Sequence, residues 1–167
     1  MKFFIIGAAV MGLGTPMSSP AFSQNAQHEA EDAIAQQAVV EQFYDAFGTG
    51  DMATIAALLS DDVEWVEAEG GPYDADNPYI GLVELGSGVF GPIAEVYGDF
   101  AATPLRFISQ DNRVVVEGRY TGTHGETGEL LDAQFVHVFT VEGERILAMQ
   151  QYTDTYQWRR LAGTLND

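Results

Sequence analysis

Leu130–Trp158, LLDAQFVHVFTVEGERILAMQQYTDTYQW, reads as two long strands joined at Glu142-Gly143-Glu144. Side chains alternate between the faces of a strand, so Ala133, Phe135, His137, Phe139 and Val141 share one face of the first. By the same count Ile146, Ala148, Gln150, Tyr152 and Asp154 share one face of the second. If the two rows look the same way, one imidazole and one carboxylate stand on an otherwise apolar wall. A buried polar group needs a partner, so His137 and Asp154 either satisfy each other or point at a ligand. The rest of the chain then supplies a cone around that wall.

Upstream, Leu105–Gln110 and Val114–Thr123 read as two further strands turning at Asp111-Asn112, and His124–Gly128 is a polar turn. Before them Val83, Gly86, Phe90, Ile93 and Tyr97 keep helical spacing, weakened by glycines and kinked or restarted at Pro92. Glu69–Tyr79 is a loop rich in Gly, Pro, Asp and Asn, either a plain connection or a lid. Val63–Ala68 reads as a strand with Val63, Trp65 and Glu67 on one face. Asp51 caps a short helix carrying Ile55, Leu58 and Leu59, ended by Asp61-Asp62. From Ala33 to Phe47 the residues Val40, Phe43, Tyr44 and Phe47 line one helical face, and Gly48-Thr49-Gly50 stops that helix. Helices followed by a run of antiparallel strands give an α+β class: a curved antiparallel sheet wrapped over N-terminal helices, forming a cone with an internal pocket.

The first 23 residues stand apart. Met1-Lys2 is a positive start, Phe3–Gly14 a short apolar run, and Ala21-Phe22-Ser23 a small-residue cleavage site. About 12 apolar residues fall short of the roughly 20 that span a bilayer, so a secretory leader is expected and not a stable membrane anchor. This divides the chain into a leader over 1–23, a flexible tail over 24–32, the cone over 33–158 and a C-terminal tail over 159–167. The product would be secreted, in the periplasm.

Removing the leader removes the only lysine, leaving six arginines against 25 acidic residues, one charge more negative than the −18 of the full chain. Such a surface repels phosphate backbones, which argues against nucleic-acid partners and anionic membranes. The chain has no cysteine, so disulfides, thiol catalysis and cysteine-held metals are excluded. His28, His124 and His137 are scattered with no H-x-H or H-E-x-x-H spacing, and no phosphate loop, nucleotide fingerprint or G-x-S-x-G elbow occurs. No metal and no cofactor is expected.

The segments FYDAFGTGDMATIAALLSDDVEW, PYIGLVELGSGVFGPIAEVYGDF, VVVEGRYTG and TGELLDAQFVHVFTVEGERILAMQQYTDT resemble the SnoaL-like polyketide-cyclase group. That group sits in the superfamily of nuclear transport factor 2, ketosteroid isomerase and scytalone dehydratase. The likeness spans about residues 35 to 158 and is specific for fold rather than reaction, because this scaffold hosts several chemistries and non-catalytic binders. It implies an acid/base role for Asp154, which looks like the last-strand aspartate of the cyclases. It also implies one for Glu67, which falls near the first-strand base of the isomerase. The isomerase's oxyanion tyrosine falls on Phe43, with Tyr44 one residue and about 100° further round the helix. His137 falls roughly where the isomerase keeps a protonated aspartic acid.

The candidate catalytic residues are therefore Asp154, His137 and Glu67, with Trp65, Tyr44, Phe43, Phe90, Phe135 and Tyr152 as pocket lining or plain core. A His–Asp pair on an apolar wall could exchange protons near neutral pH. The expected partner is a small lipophilic molecule, acted on by proton transfer of the isomerase, cyclase or hydrolase type or merely sequestered; the alternative is a structural dimer with a vestigial pocket. Family habit and the alternation of Val115, Glu117, Arg119 and Thr121 on the outer face imply a homodimer through that face.

Overall fold

The computed structural model describes residues 20–165. The leader expected over 1–23 lies outside them but for the start of the first helix. Helix α1 (Pro20–Thr49) and helix α2 (Met52–Leu58) precede strand β1 (Leu59–Val66) and the short β2 (Tyr79–Ile80). A broken helical stretch follows, α3 (Gly81–Leu85), a π turn over Gly86–Phe90, and α4 (Gly91–Val96). Strands β3 (Ala101–Gln110), β4 (Arg113–Thr123), β5 (Leu130–Glu142) and β6 (Arg145–Thr153) then lead into α5 (Thr155–Leu161). None of the described helices is long and apolar enough to cross a membrane.

The six strands form one open sheet in the order β2-β1-β6-β5-β4-β3. All neighbours are antiparallel except β1 and β6, which run parallel. The sheet is thus mixed, not purely antiparallel. The polypeptide leaves α2 directly into β1, which lies alongside β6 while the three hairpin-linked strands fill the far side. Pro104 sits in β3, the edge strand, where a missing N–H is tolerated.

Helix α1 lies across the concave face and buries Val39, Val40, Phe43, Tyr44 and Ala46. Those positions recur at helical spacing, so one stripe of α1 meets the inward rows of the sheet. Those rows bury Val114, Val116 and Tyr120 of β4 and Leu131, Ala133, Phe135, Phe139 and Val141 of β5. Gly50, at φ +70°, ends the helix in the left-handed region. Asp51 caps α2 by accepting from the Thr54 N–H at 3.1 Å, as its position predicts. The π turn places Gly91 N–H on the Gly86 carbonyl just before Pro92, whose ring and missing N–H forbid a regular turn there.

Two ends differ from expectation. Residues 24–32, expected as a loose tail, are helical and exposed, an outward extension of α1. The cone does not stop at 158 either: α5 runs to Leu161 and buries Trp158 and Leu161. On the convex face Leu105, Ile108 and Tyr152 are exposed. Its charges pair within the chain, Arg106 with Glu117 and Arg119 with Asp132.

Candidate functional site

The cavity opens between α1, the α3–α4 stretch and the inner face of the sheet. Its lining includes Phe43, Tyr44, Trp65, Glu67, Phe90, Tyr120, His137 and Gln151. The space unfilled by atoms is about 380 Å³ counting the mouth, but only about 30 Å³ of it admits the centre of a water-sized sphere. One water needs about 10–15 Å³ by that measure, so the closed part suits two or three waters.

Alternation along β1 turns Val63 and Trp65 inward, and Glu67 continues the row just past the strand end. The Trp65 indole Nε1–H donates to Glu67 Oε1 at 2.8 Å. Asn77 holds the Glu67 backbone from both sides: its Nδ2 donates to the Glu67 carbonyl and its Oδ1 accepts from the Glu67 N–H, each at 2.8 Å. The 69–79 loop therefore positions Glu67 as well as connecting strands. Burial disfavours the charged carboxylate and pushes Glu67 up to about 7, against the pull of the Trp65 and Gln151 hydrogen bonds.

On β5, His137 is buried with Phe135 and Phe139 on the same face. Its Nδ1 lies 2.7 Å from the Tyr44 hydroxyl and its Nε2 2.5 Å from the Tyr120 hydroxyl. Gln151 Nε2 donates to Tyr120 at 2.8 Å, and Gln151 Oε1 accepts from the Ala68 N–H at 3.3 Å. Burial drives His137 down to about 3, so the ring is neutral at ordinary pH. The Tyr44 and Tyr120 phenols are raised by the same desolvation and keep their protons.

Asp154 is not part of this constellation. It is the N-cap of α5, its carboxylate accepting from the Gln157 N–H at 3.2 Å. The His137–Asp154 pair does not form, since both nitrogens of His137 already have tyrosine partners. Tyr152 is 58% exposed on the convex face and does not line the cavity. The cause is a β-bulge. Thr140 pairs with Ala148 but Val141 pairs with Ile146, so Leu147 is an extra residue in β6. One inserted residue flips every later side chain to the other face. Met149 and Gln151 therefore point inward, where Ala148, Gln150, Tyr152 and Asp154 were expected. Phe135 is buried against the His137 ring, centroids 4.2 Å apart, behind the cavity wall and not on it. Phe43, Tyr44, Trp65, Phe90, His137 and Glu67 do meet at the cavity.

Sequence reading missed Tyr120 and Gln151 as site residues. Tyr120 alternates with Val114 and Val116, so a buried hydroxyl needing a partner was legible there. Gln151 was hidden by the bulge. Among the described residues no cluster of three or more His, Asp or Glu is placed to hold a metal ion.

The two shifts bear on folding in opposite directions. From pH 6.5 down to about 3, unfolded His137 binds a proton that the folded ring lacks, so acidification destabilises. From pH 4.5 up to about 7, folded Glu67 holds a proton that the unfolded chain lacks, so raising the pH destabilises. Comparing Glu67→Gln with the parent isolates the second effect. The variant should gain stability relative to the parent across that upper window, by about 3 kcal/mol in all, judging by the size of the shift. Urea unfolding at a series of pH values checks this, and a difference independent of pH would contradict it.

The family model for the SnoaL-like domain matches residues 40–149. No curated protein matches. Among solved structures, a nuclear transport factor 2-like protein of unknown function from Burkholderia pseudomallei is 26% identical with a TM-score of 0.68, over 76% of this chain and 96% of that one. TerC co-crystallised with polyporic acid is 26% identical with a TM-score of 0.69, over 77% and 98%. The proposed polyketide cyclase IdmH from Streptomyces antibioticus is 21% identical with a TM-score of 0.64, over 77% and 98%, a likeness of fold alone.

Proposed function

The chain belongs to the SnoaL-like domain family, and on that premise we propose that its cavity binds a small lipophilic molecule and moves a proton on it, with Glu67 as the acid/base group. The observation that carries this reading is a single carboxyl buried among aromatic rings and raised to about 7. A group titrating near the working pH is populated in both forms, so it can take a proton and give it back. Trp65 and Asn77 hold the carboxyl and its backbone in place, and the apolar walls exclude bulk water. TerC, co-crystallised with polyporic acid, supports ligand binding by this fold.

A second reading is sequestration without chemistry. It is favoured by the position of Asp154 at a helix cap, which leaves Glu67 as the one carboxylate among the described residues that line the cavity. The two readings part on exchange of a ligand's acidic C–H protons with solvent deuterium, followed by proton NMR on a one-ring ketone such as acetophenone. Proton transfer predicts exchange above the buffer rate that depends on Glu67. Exchange at the buffer rate across a panel of such ketones, with binding intact, would leave only the binder.

A further inference from the structure

Gln151, Tyr120, His137 and Tyr44 form one buried hydrogen-bonded row whose protons can be counted. Gln151 Nε2 fills the first contact by donating to the Tyr120 oxygen at 2.8 Å. The two contacts to the His137 ring, at 2.5 and 2.7 Å, then remain. A neutral imidazole has one N–H and one acceptor nitrogen, and each phenol has one proton. Three protons are available for two contacts, so one is left over.

With the proton on Nδ1, Tyr120 donates to Nε2, the Nδ1–H donates to Tyr44, and the Tyr44 hydroxyl proton is spare. With the proton on Nε2, Tyr44 donates to Nδ1, the Nε2–H donates to Tyr120, and the Tyr120 proton is spare. Neither hydroxyl has another acceptor among the described residues. Both tyrosines line the cavity, and each is at most 5% exposed. A buried donor without an acceptor is costly. We infer that the row is a built donor site in which the tautomer of His137 selects whether Tyr44 or Tyr120 offers a hydroxyl proton, and that the ligand carries an oxygen acceptor, such as a ketone carbonyl, to receive it.

His137 is thus a positioning residue, touching the two phenols and leaving the ligand to them. The rival donors on the cavity wall are engaged: Trp65 N–H and the Gln151 amide are turned to Glu67 and Tyr120. Glu67 itself can donate only while protonated, which pH 9 prevents. This inference rests on the proposal that the cavity takes a small lipophilic ligand, but it does not need turnover.

The test uses acetophenone and ethylbenzene, which differ at the carbonyl, binding to the full chain at pH 9. A carbonyl that gains one hydrogen bond in a dry site should bind roughly tenfold more tightly than its hydrocarbon counterpart. Equal binding of the two, or binding of neither, overturns the inference. The tautomer is read separately from the His137 ring nitrogens by ¹⁵N NMR between pH 5 and 8. Tyr44→Phe leaves Tyr120 to donate to Nε2 and should place the ring proton on Nδ1. Tyr120→Phe leaves Tyr44 to donate to Nδ1 and should place it on Nε2. The same tautomer in both variants, or a doubly protonated ring in the parent, refutes the switch. Loss of deuterium exchange with the carbonyl preference intact would defeat the catalytic reading and leave the donor site standing. If either variant fails to fold, the acetophenone comparison on the parent still decides whether the donor exists.

Discussion

Replacing Glu67 with Gln is expected to slow proton transfer in the cavity by roughly 10²–10⁴-fold, the usual worth of one acid/base group. Ligand affinity should change little. The amide keeps the shape of the carboxyl, and its oxygen can still accept the Trp65 indole N–H that Glu67 Oε1 accepts at 2.8 Å. What it cannot do is take up a proton. The parent rate should rise with pH through about 7 as Glu67 becomes the carboxylate base. The variant should lose that rise along with the rate. Deuterium uptake by a bound ketone, measured with dissociation constants for both proteins, separates chemistry from binding. A variant that keeps the parent's rate would remove Glu67 from the mechanism.

The second large effect is on stability. Gly118 of β4 faces Phe135 across the β4–β5 ladder and Pro104 across the β3–β4 ladder. The Phe135 ring lies against it, so an added Cβ would collide with the Cζ–Cε2 edge of that ring and lie 2.6 Å from the Thr103 carbonyl oxygen. A ring can rotate away, but here it is packed with centroids 4.4 Å from Tyr120 and 4.2 Å from His137. The Thr103 oxygen is backbone and cannot move without shifting β3. Gly118→Ala should therefore cost about 3 kcal/mol, the upper part of the range for overpacking a tight core. It should also disturb the Tyr120–His137 contact. Urea denaturation measures the loss, and an unchanged midpoint would mean that the Phe135 ring does not lie against Gly118.

The reach of the sequence is clearest on the two central strands. On β5 burial alternates strictly from Leu131 to Val141, so the inward placement of His137 follows from period two alone. The same logic placed Trp65 and Glu67 together on β1. On β6 the identical count failed after Ile146, because Leu147 is an extra residue in the ladder and nothing in RILAMQQYT marks a two-for-one pairing. Asp154 and Tyr152 were lost from the site by that one residue, and Gln151 was gained. The helical tail before residue 33 was illegible for another reason: all of residues 24–32 are exposed, so no apolar stripe announces the helix. Helix α5 is only seven residues long, and Trp158 and Leu161 give it too little periodicity to recognise.

We propose Glu67 as the cavity's acid/base group, poised near neutrality by burial. Its own titration tests this most directly. Carboxyl ¹³C NMR of the full chain, with the Glu67 resonance identified by its absence in Glu67→Gln, reports the midpoint without needing a substrate. A midpoint near 7 is the predicted result. A midpoint near the ordinary 4.5 would mean that water reaches the carboxyl, and it would contradict the account.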